Sequence, residues 1–354
     1  MKRTKGWIGL DIAKFICVAL MIFIHSVFWI VTTQDEIMST QNNIYPIIIN
    51  LVFLGLFPMS IPAVAGASLR IHFSKYWKNN KIKGYPFKHI LKVSSFIIIL
   101  GFIMNFLAFG IEDLFSWDAL QFIGISFITI TLLLKFFSIS SVFFAGALTL
   151  FTAEIVRNSL SDYNSNYLAA IFIGNSSGFF FWPFFPWFST ITFGFLAAHY
   201  YIKYKDNIAS RIIFIITGLL LLGISFLRKE LLPVIDSSNV WGATIFQPKV
   251  GFILAIMGSF SLLIVFSNLL SEKIHPKKYG IINSYSKGIL WIYILHIIIG
   301  FNLSLLFKAL FSPLVAIILL LLVLFLISWG IGIFTLKFVY GRKLVFFLRK
   351  VKRW

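Results

Sequence analysis

The sequence has few charged residues, and its acids are fewer than its bases. Charged side chains make up 12% of the 354 residues, with 12 Asp and Glu against 31 Lys and Arg. Hydrophobic residues make up 59%, and the mean hydropathy is +0.92. Soluble domains are only about half apolar, because their surface must be hydrated. We therefore predict an all-α polytopic membrane protein in which residues 1–354 form one transmembrane domain, with no soluble domain.

Cysteine and metal-binding motifs are also scarce. Cys17 is the single cysteine, so no internal disulfide can form. Ligand spacings such as His-Glu-x-x-His do not occur, and no metal is expected. The apolar run from Trp7 to Ile30 is too long for the core of a signal peptide, contains Asp11 and Lys14, and lacks a small-residue cleavage site. We predict that it stays as an uncleaved first membrane helix.

Apolar runs of about 20 residues, the length that crosses a bilayer, recur along the whole chain. They predict about ten spans, at approximately 7–31, 45–69, 93–110, 119–136, 141–156, 184–202, 211–227, 250–270, 285–307 and 312–337. With the N-terminus inside, most lysines and arginines fall in cytoplasmic segments, as the positive-inside rule requires. The outer loops then hold only Arg157, Arg228, Lys229, Lys249 and Lys308. Both termini are therefore predicted to be cytoplasmic.

The formal net charge of +19 follows mainly from this topology and from attraction to anionic lipid. Nucleic-acid binding is not expected, because no basic soluble domain is available to carry it. The lipid bilayer is the partner that the composition predicts.

The first span carries three ionisable residues, which are costly inside a membrane and therefore candidates for function. Lys14 and His25 are eleven residues apart, which puts them about 20° apart around a helix and about 16 Å apart along it. Asp11 lies one turn before Lys14 and can pair with it, which is a structural explanation for both. Lys14 can also extend to the headgroups, and His25 can be a hydrogen-bonded structural histidine.

This spacing suits an acyl-coenzyme A donor, whose phosphates need cations near the cytosol while a long arm carries the thioester away. Lys14 would bind phosphate, and His25 would meet the acyl group. The basic loop 70–92, with Arg70, Lys88 and Lys92, and Lys287 at the inner end of span nine would add to the same cationic field. An ordinary positive-inside role is the alternative for these cations. His199, near the inner end of span six, is a further candidate for the donor site or an interfacial residue.

Other candidates lie on later spans. Asp118 enters span four from outside and either orients His25 as a carboxylate partner or caps its own helix. Tyr293 and His296 are three residues apart, hence on one side of span nine. They either shape an acyl channel or make hydrogen bonds between helices.

Five segments, taken in order, resemble the acyltransferase family 3 proteins and the related heparan-α-glucosaminide N-acetyltransferase-like proteins. Lys14 and His25, within GLDIAKFICVALMIFIHS, look like the family's Arg/Lys-x10-His motif. The other segments are FPMSIPAVAGASL (57–69), SWDALQFIGIS (116–126), WPFFPWFSTITFGFLAAHY (182–200) and SYSKGILWIYILH (284–296). Two departures are a lysine where many relatives have arginine, and Ala65-Gly66-Ala67 in place of Ser-Gly.

The resemblance implies transfer of an acyl group, usually acetyl, from cytosolic acetyl-coenzyme A to a hydroxyl or amine on the far side of the membrane. O-acetylation of a saccharide of the cell envelope, in the plasma (inner) membrane of a bacterium, is the expected reaction. His25 matches the catalytic position, as general base or as transient acetyl carrier. A transporter or flippase of lipid-linked sugars is the alternative, and a non-catalytic scaffold would leave His25 unexplained. The oligomeric state is open, a homodimer included.

Overall fold

A computed structural model describes residues 7–31, 56–74, 76–78, 81–82, 87–160, 166–174, 182–204, 207–230, 248–274 and 276–340. The helices are α1 (Ile8–Val31), α2 (Ile61–Phe73), α3 (Phe87–Phe109), α4 (Ala119–Phe136), α5 (Ile139–Phe151), α6 (Ala153–Ser159), α7 (Tyr167–Ile173), α8 (Phe184–Tyr204), α9 (Ile208–Leu227), α10 (Val250–Lys273), α11 (Pro276–Leu310) and α12 (Pro313–Tyr340). A 3-10 turn, Pro58–Ser60, precedes α2, and β1 (Trp77–Lys78) pairs with β2 (Lys81–Ile82) in a short antiparallel hairpin. The predicted all-α polytopic membrane fold is confirmed.

Within the described residues, seven helices are long and apolar enough to cross a membrane, and an eighth span results if the bent pair α5 and α6 counts as one. The seven are α1, α3, α4, α9, α10, α11 and α12. The predicted span 141–156 is in fact this pair of helices, which meet at 55°. The predicted span 184–202 is a helix, α8, but it is not among the seven. Part of the predicted span 45–69 lies outside the described residues, so the number ten stays a prediction.

The chain divides into two compact units. The terminal unit comprises Met1–Tyr45 and Phe266–Trp354, and the central unit comprises Pro46–Val265. Each unit is described below by itself, and the prediction of one transmembrane domain stays a prediction.

In the terminal unit, α1 and α11 run parallel. Asp11 contacts Ser286 and His25 contacts His296, so residue numbers increase together along the two helices. The loop between α11 and α12 is short, and these two helices are antiparallel, with Gly288 packing near Thr335. The start of α1, the start of α11 and the end of α12 therefore lie at the same end of this unit. The side of the membrane on which the two termini lie stays a prediction.

In the central unit, α2 and α8 are parallel and cross at two glycines. A Cβ atom at Gly66 would lie 1.9 Å from the carbonyl oxygen of Ile191, and one at Gly194 would lie 1.8 Å from that of Ala63. Membrane helices commonly approach closely at small residues, because van der Waals packing replaces the hydrophobic effect there. The two glycines thus allow the backbones of α2 and α8 to touch. The antiparallel pairs α3 with α4 and α9 with α10 complete much of this unit.

Large apolar side chains cover the outside of several helices. On α9, Leu219, Leu220 and Leu227 are 58%, 60% and 81% exposed, and on α12 Leu326 is 67% exposed. Such a surface would be unfavourable in water, but it suits hydrocarbon, where the helical backbone is internally hydrogen-bonded. The polar and titratable groups described next lie mainly between helices or at their ends.

Candidate functional site

The polar side of α1 faces α11 at two levels. Because α1 is one continuous helix from Ile8 to Val31, the predicted separation of Lys14 and His25, about 16 Å along the axis, holds. Near the start of α1, Asp11 forms an ion pair with Lys14 and accepts a hydrogen bond from Ser286 of α11. Further along α1, His25 forms a hydrogen bond with His296 of α11. We refer to these as the Asp11 cluster and the histidine pair.

The Asp11 cluster contains the ion pair that the sequence predicted as a structural explanation for Lys14. Lys14 Nζ is 3.8 Å from Asp11 Oδ1, and the two side chains are only 15% and 16% exposed. The hydroxyl of Ser286 donates a hydrogen bond to the same carboxylate oxygen. Lys287, the next residue on α11, is exposed. The cluster therefore holds one largely buried cation, Lys14, and an exposed cation follows Ser286 on α11.

The histidine pair joins the two helices at the higher-numbered level. His25 Nδ1 is 3.0 Å from His296 Nε2, and the two rings are within 6° of parallel. His296 is 2% exposed, and its Nδ1 is 3.1 Å from the carbonyl oxygen of Ile292. The sequence placed His25 and His296 on the first and ninth spans without predicting that they touch.

These contacts assign the tautomers of the two neutral imidazoles. A carbonyl oxygen can only accept, so His296 carries its proton on Nδ1 and donates it to Ile292. His296 Nε2 then holds a lone pair and accepts from His25 Nδ1–H. His25 Nε2 is consequently left with a lone pair, and a histidine nitrogen in this state can act as a base or a nucleophile.

Aromatic rings surround the histidine pair. Trp29 stacks on His25 with ring centroids 5.1 Å apart and 26° between the planes. The ring of Tyr293 meets His296 edge to face at 5.4 Å, and Phe301 meets Trp29 edge to face at 6.3 Å. Tyr293 and His296, predicted to lie on one side of span nine, are in contact, and His296 also contacts His25. Trp29 was not predicted, although it lies one turn after His25 on the same helix side.

In the central unit, Arg70 is buried rather than solvated. It is 2% exposed and lies in the last turn of α2. Its Nε and Nη2 atoms are 3.2 and 3.1 Å from Nδ1 of His199 on α8. Lys88 and Lys92 are exposed on the first turns of α3, and His89 stacks with His72 at 6.2 Å. One end of this unit therefore gathers cations and imidazoles.

Asp118 is the N-cap of α4. Its carboxylate accepts a hydrogen bond from the backbone N–H of Ala119, and a capping box with Gln121 completes the turn. This is the capping role that the sequence offered as one of two possibilities. A role of Asp118 towards His25 stays a prediction. Within the described ranges, no group of three or more His, Cys, Asp or Glu could hold a metal ion.

Apolar helices long enough to cross a membrane define a polytopic membrane protein, in which two histidines meet between α1 and α11. A family model described as heparan-alpha-glucosaminide N-acetyltransferase, catalytic, matches residues 7–232, which is more than half of the chain. The chain belongs to this family, and it is a transmembrane acetyltransferase. The matched region contains Lys14, His25, Arg70 and Asp118, whereas His296 follows it. No curated protein and no solved structure matches the chain.

Proposed function

We propose that the protein transfers the acetyl group of cytosolic acetyl-coenzyme A to a hydroxyl group of an extracytoplasmic saccharide, with His25 as the catalytic residue. The observation that carries this proposal is the hydrogen bond between His25 Nδ1 and His296 Nε2. It leaves the lone pair of His25 Nε2 for chemistry and holds the imidazole ring in one orientation. His296 is a positioning residue in this scheme.

In the first route, His25 takes a proton from the acceptor and later gives it to the leaving group. As the acceptor oxygen attacks the thioester carbonyl, His25 Nε2 takes the proton of the acceptor hydroxyl, and the tetrahedral intermediate forms. When the carbon–sulfur bond breaks, the imidazolium returns the proton to the leaving thiolate, and coenzyme A is released as the thiol. In the second route Nε2 itself attacks the thioester carbonyl, the carbon–sulfur bond breaks, and coenzyme A leaves as the thiolate. The acceptor oxygen then takes the acetyl group from Nε2, and the hydroxyl proton neutralises the released thiolate. Both routes use the same nitrogen.

The donor is proposed to bind with its phosphates at the cytoplasmic end. In the terminal unit, Lys14 and Lys287 supply cations near the start of α1, and the distance from Lys14 to His25 suits the long arm of coenzyme A. In the central unit, Arg70 with His199, together with the exposed Lys88 and Lys92, provides a second cationic group. Phosphate oxygens are recognised by such lysine and arginine donors. Tyr293 and Trp29 would line the path of the acetyl group.

A saccharide acceptor is supported by the family itself, whose description contains a glucosaminide. Transfer to oxygen is supported by the sequence likeness to acyltransferase family 3. We place the protein in the plasma (inner) membrane of a bacterium, with envelope polysaccharide as the acceptor. Membership of an acetyltransferase family favours this enzyme over a transporter of lipid-linked sugars.

The test is acetylation of the cell-surface glycan by a strain that carries His25→Asn. Asparagine keeps an N–H that can donate to His296, but it removes the basic nitrogen, so we expect acetylation to fall at least about 100-fold, the usual contribution of a general base. Ser26→Ala is the matched control, because Ser26 is buried and, among the described residues, its hydroxyl donates to the carbonyl oxygen of Ile22 in its own helix. Normal acetylation by a normally expressed His25→Asn protein would refute the proposal.

A further inference from the structure

A charged cleft lies at one end of the central unit, away from the groups used above. It has a volume of about 320 Å³ and is lined by Glu154, Arg157, Asn158, Arg228, Glu230 and Lys249. These residues come from α6, from the end of α9 and from the start of α10. All six are polar or charged, so the cleft suits a hydrophilic ligand rather than an acyl chain. Its volume lies in the range of about 300–1,000 Å³ that is common for small-molecule sites.

Part of the cleft is held rigid by hydrogen bonds. Arg228 donates to both carboxylate oxygens of Glu230, at 3.0 and 3.3 Å. Glu230 also accepts from the backbone N–H of Gly251 at 2.7 Å. Burial would raise the pKa of Glu230, but the bonds from Arg228 and Gly251 and the nearby charges outweigh it and lower that pKa. Glu230 is therefore ionised and neutralises Arg228, which leaves the charge of this pair near zero.

The hydrogen bonds around Glu230 do not include Arg157. One of its terminal nitrogens donates to the carbonyl oxygen of Pro248 at 3.2 Å, but its Nε–H is buried and has no acceptor among the described residues. A buried charged donor without an acceptor is costly, and such a group calls for an explanation. With Glu154 as the remaining acid, Arg157 and Lys249 leave the cleft with an excess of one positive charge. The cleft thus fits a part of a ligand that carries one negative charge, such as one acidic residue of a longer glycan.

The cleft lies opposite the Arg70–His199 end of the same unit. His199 is near the end of α8, which is followed closely by the start of α9, and Arg228 caps the other end of α9. A helix of 20 residues separates the two ends by about 30 Å, the thickness of the bilayer core. The predicted topology puts the Arg70 end in the cytosol and the cleft outside. Three of the few outer cations in the sequence line this cleft.

We propose that the charged cleft binds an acidic saccharide, with a carboxylate such as that of a uronic acid received by Arg157 and Lys249. The carboxylate of Glu154 would accept hydrogen bonds from the sugar hydroxyls, and the amide of Asn158 would accept or donate them. Arginine can donate two parallel hydrogen bonds to a carboxylate, and the buried Nε–H of Arg157 is a donor that has no acceptor among the described residues. This inference rests on the proposed function, since it makes the acceptor of that reaction an acidic glycan.

The experiment is a binding titration of the purified full-length protein in phosphatidylcholine nanodiscs, without acetyl-coenzyme A. The probes are trigalacturonate and the neutral trisaccharide maltotriose. We expect trigalacturonate to bind and maltotriose to bind at least about tenfold more weakly, the effect of one lost charge-assisted hydrogen bond. Equal binding of both sugars, or binding of neither, would overturn the proposal.

Two variants and one control locate the binding. Arg157→Gln and Lys249→Gln should each weaken trigalacturonate binding about tenfold or more, and Lys249 is exposed, so its replacement does not threaten folding. Lys229→Gln removes an adjacent cation that does not line the cleft, and it should leave the affinity within about twofold. An equal loss in Lys229→Gln would show a diffuse charge effect and would refute a built site.

Two further measurements distinguish this proposal from a lipid-headgroup site and from the proposal for the acetyl donor. Phosphatidylglycerol in the nanodiscs should not displace trigalacturonate, and displacement would assign the cleft to a lipid headgroup instead. Thermal protection by coenzyme A is measured on the same samples and should survive Arg157→Gln. If coenzyme A gives no protection while trigalacturonate binds, the donor proposal fails and the cleft stands. If coenzyme A protects and trigalacturonate does not bind, the cleft proposal alone fails.

Discussion

Replacing His296 with leucine tests whether the histidine pair sets the reactive nitrogen of His25. In the native protein His25 Nδ1–H donates to His296 Nε2 at 3.0 Å. His296→Leu removes this acceptor and puts an apolar side chain of comparable size in its place. The net value of such a neutral hydrogen bond is about 0.5–1.5 kcal/mol, and about 1.4 kcal/mol corresponds to a tenfold change in rate. We expect kcat to fall between about twofold and tenfold, with a smaller change in the KM for acetyl-coenzyme A.

The matched replacement His296→Gln should recover most of this loss, because its amide oxygen can accept from His25. The assay is transfer of radiolabelled acetyl groups by purified protein, with kcat and KM measured for wild type, His296→Leu, His296→Gln and His25→Asn. If kcat falls as much in His296→Leu as in His25→Asn, the assignment of His296 as a positioning residue is refuted, since His296 would then itself be a catalytic residue. Unchanged kcat in His296→Leu would equally refute the reasoning, because the hydrogen bond would then have no catalytic role.

Three further predictions concern other parts of the molecule. Lys14→Gln should weaken the binding of coenzyme A and Asp11→Asn should not, because the acid opposes a phosphate that the lysine attracts; equal effects in calorimetry would indicate a purely structural pair. Gly66→Ala should lower the thermal unfolding temperature markedly, since its Cβ would meet a backbone carbonyl at 1.9 Å, whereas Gly223→Ala has nothing within 4 Å and should be neutral or slightly stabilising. Because the pKa of Glu230 is lowered, its carboxylate stabilises the fold fully at a pH above its ordinary pKa of 4.5. This contribution is lost as the pH falls through the lowered pKa. The difference in unfolding temperature between wild type and Glu230→Gln should therefore shrink in acid, and a difference that grows there would contradict the sign.

The first helix and the spacing of its polar residues were accessible from sequence because they depend on local periodicity, whereas the chemistry assigned to Lys14 and His25 stays a prediction. A continuous helix fixes the angle and rise between Lys14 and His25 whatever surrounds them. The start of α4 at Ala119 was also predictable, since Asp118 and Gln121 form a recognisable capping pattern. The family resemblance pointed to His25 for the same reason, because the motif lies within one short segment.

The partners of these residues could not be predicted, because they depend on tertiary packing. His25 and His296 are separated by 271 positions, and no local pattern specifies which side of the ninth span faces the first. Arg70 was expected in a basic loop, but α2 extends past it and buries the guanidinium against His199. The bend between α5 and α6 also escaped prediction, since hydropathy measures length and composition and carries no information about direction.

The parallel pairing of α1 with α11 has a consequence for biogenesis. His25 lies on the first described helix, whereas His296 belongs to the penultimate described helix. A nascent chain that has inserted everything through α10 contains His25 but lacks His296. The histidine pair therefore forms only after α11 has docked beside α1. On the proposed function, catalytic competence arises only with this contact between two helices that lie far apart in the sequence.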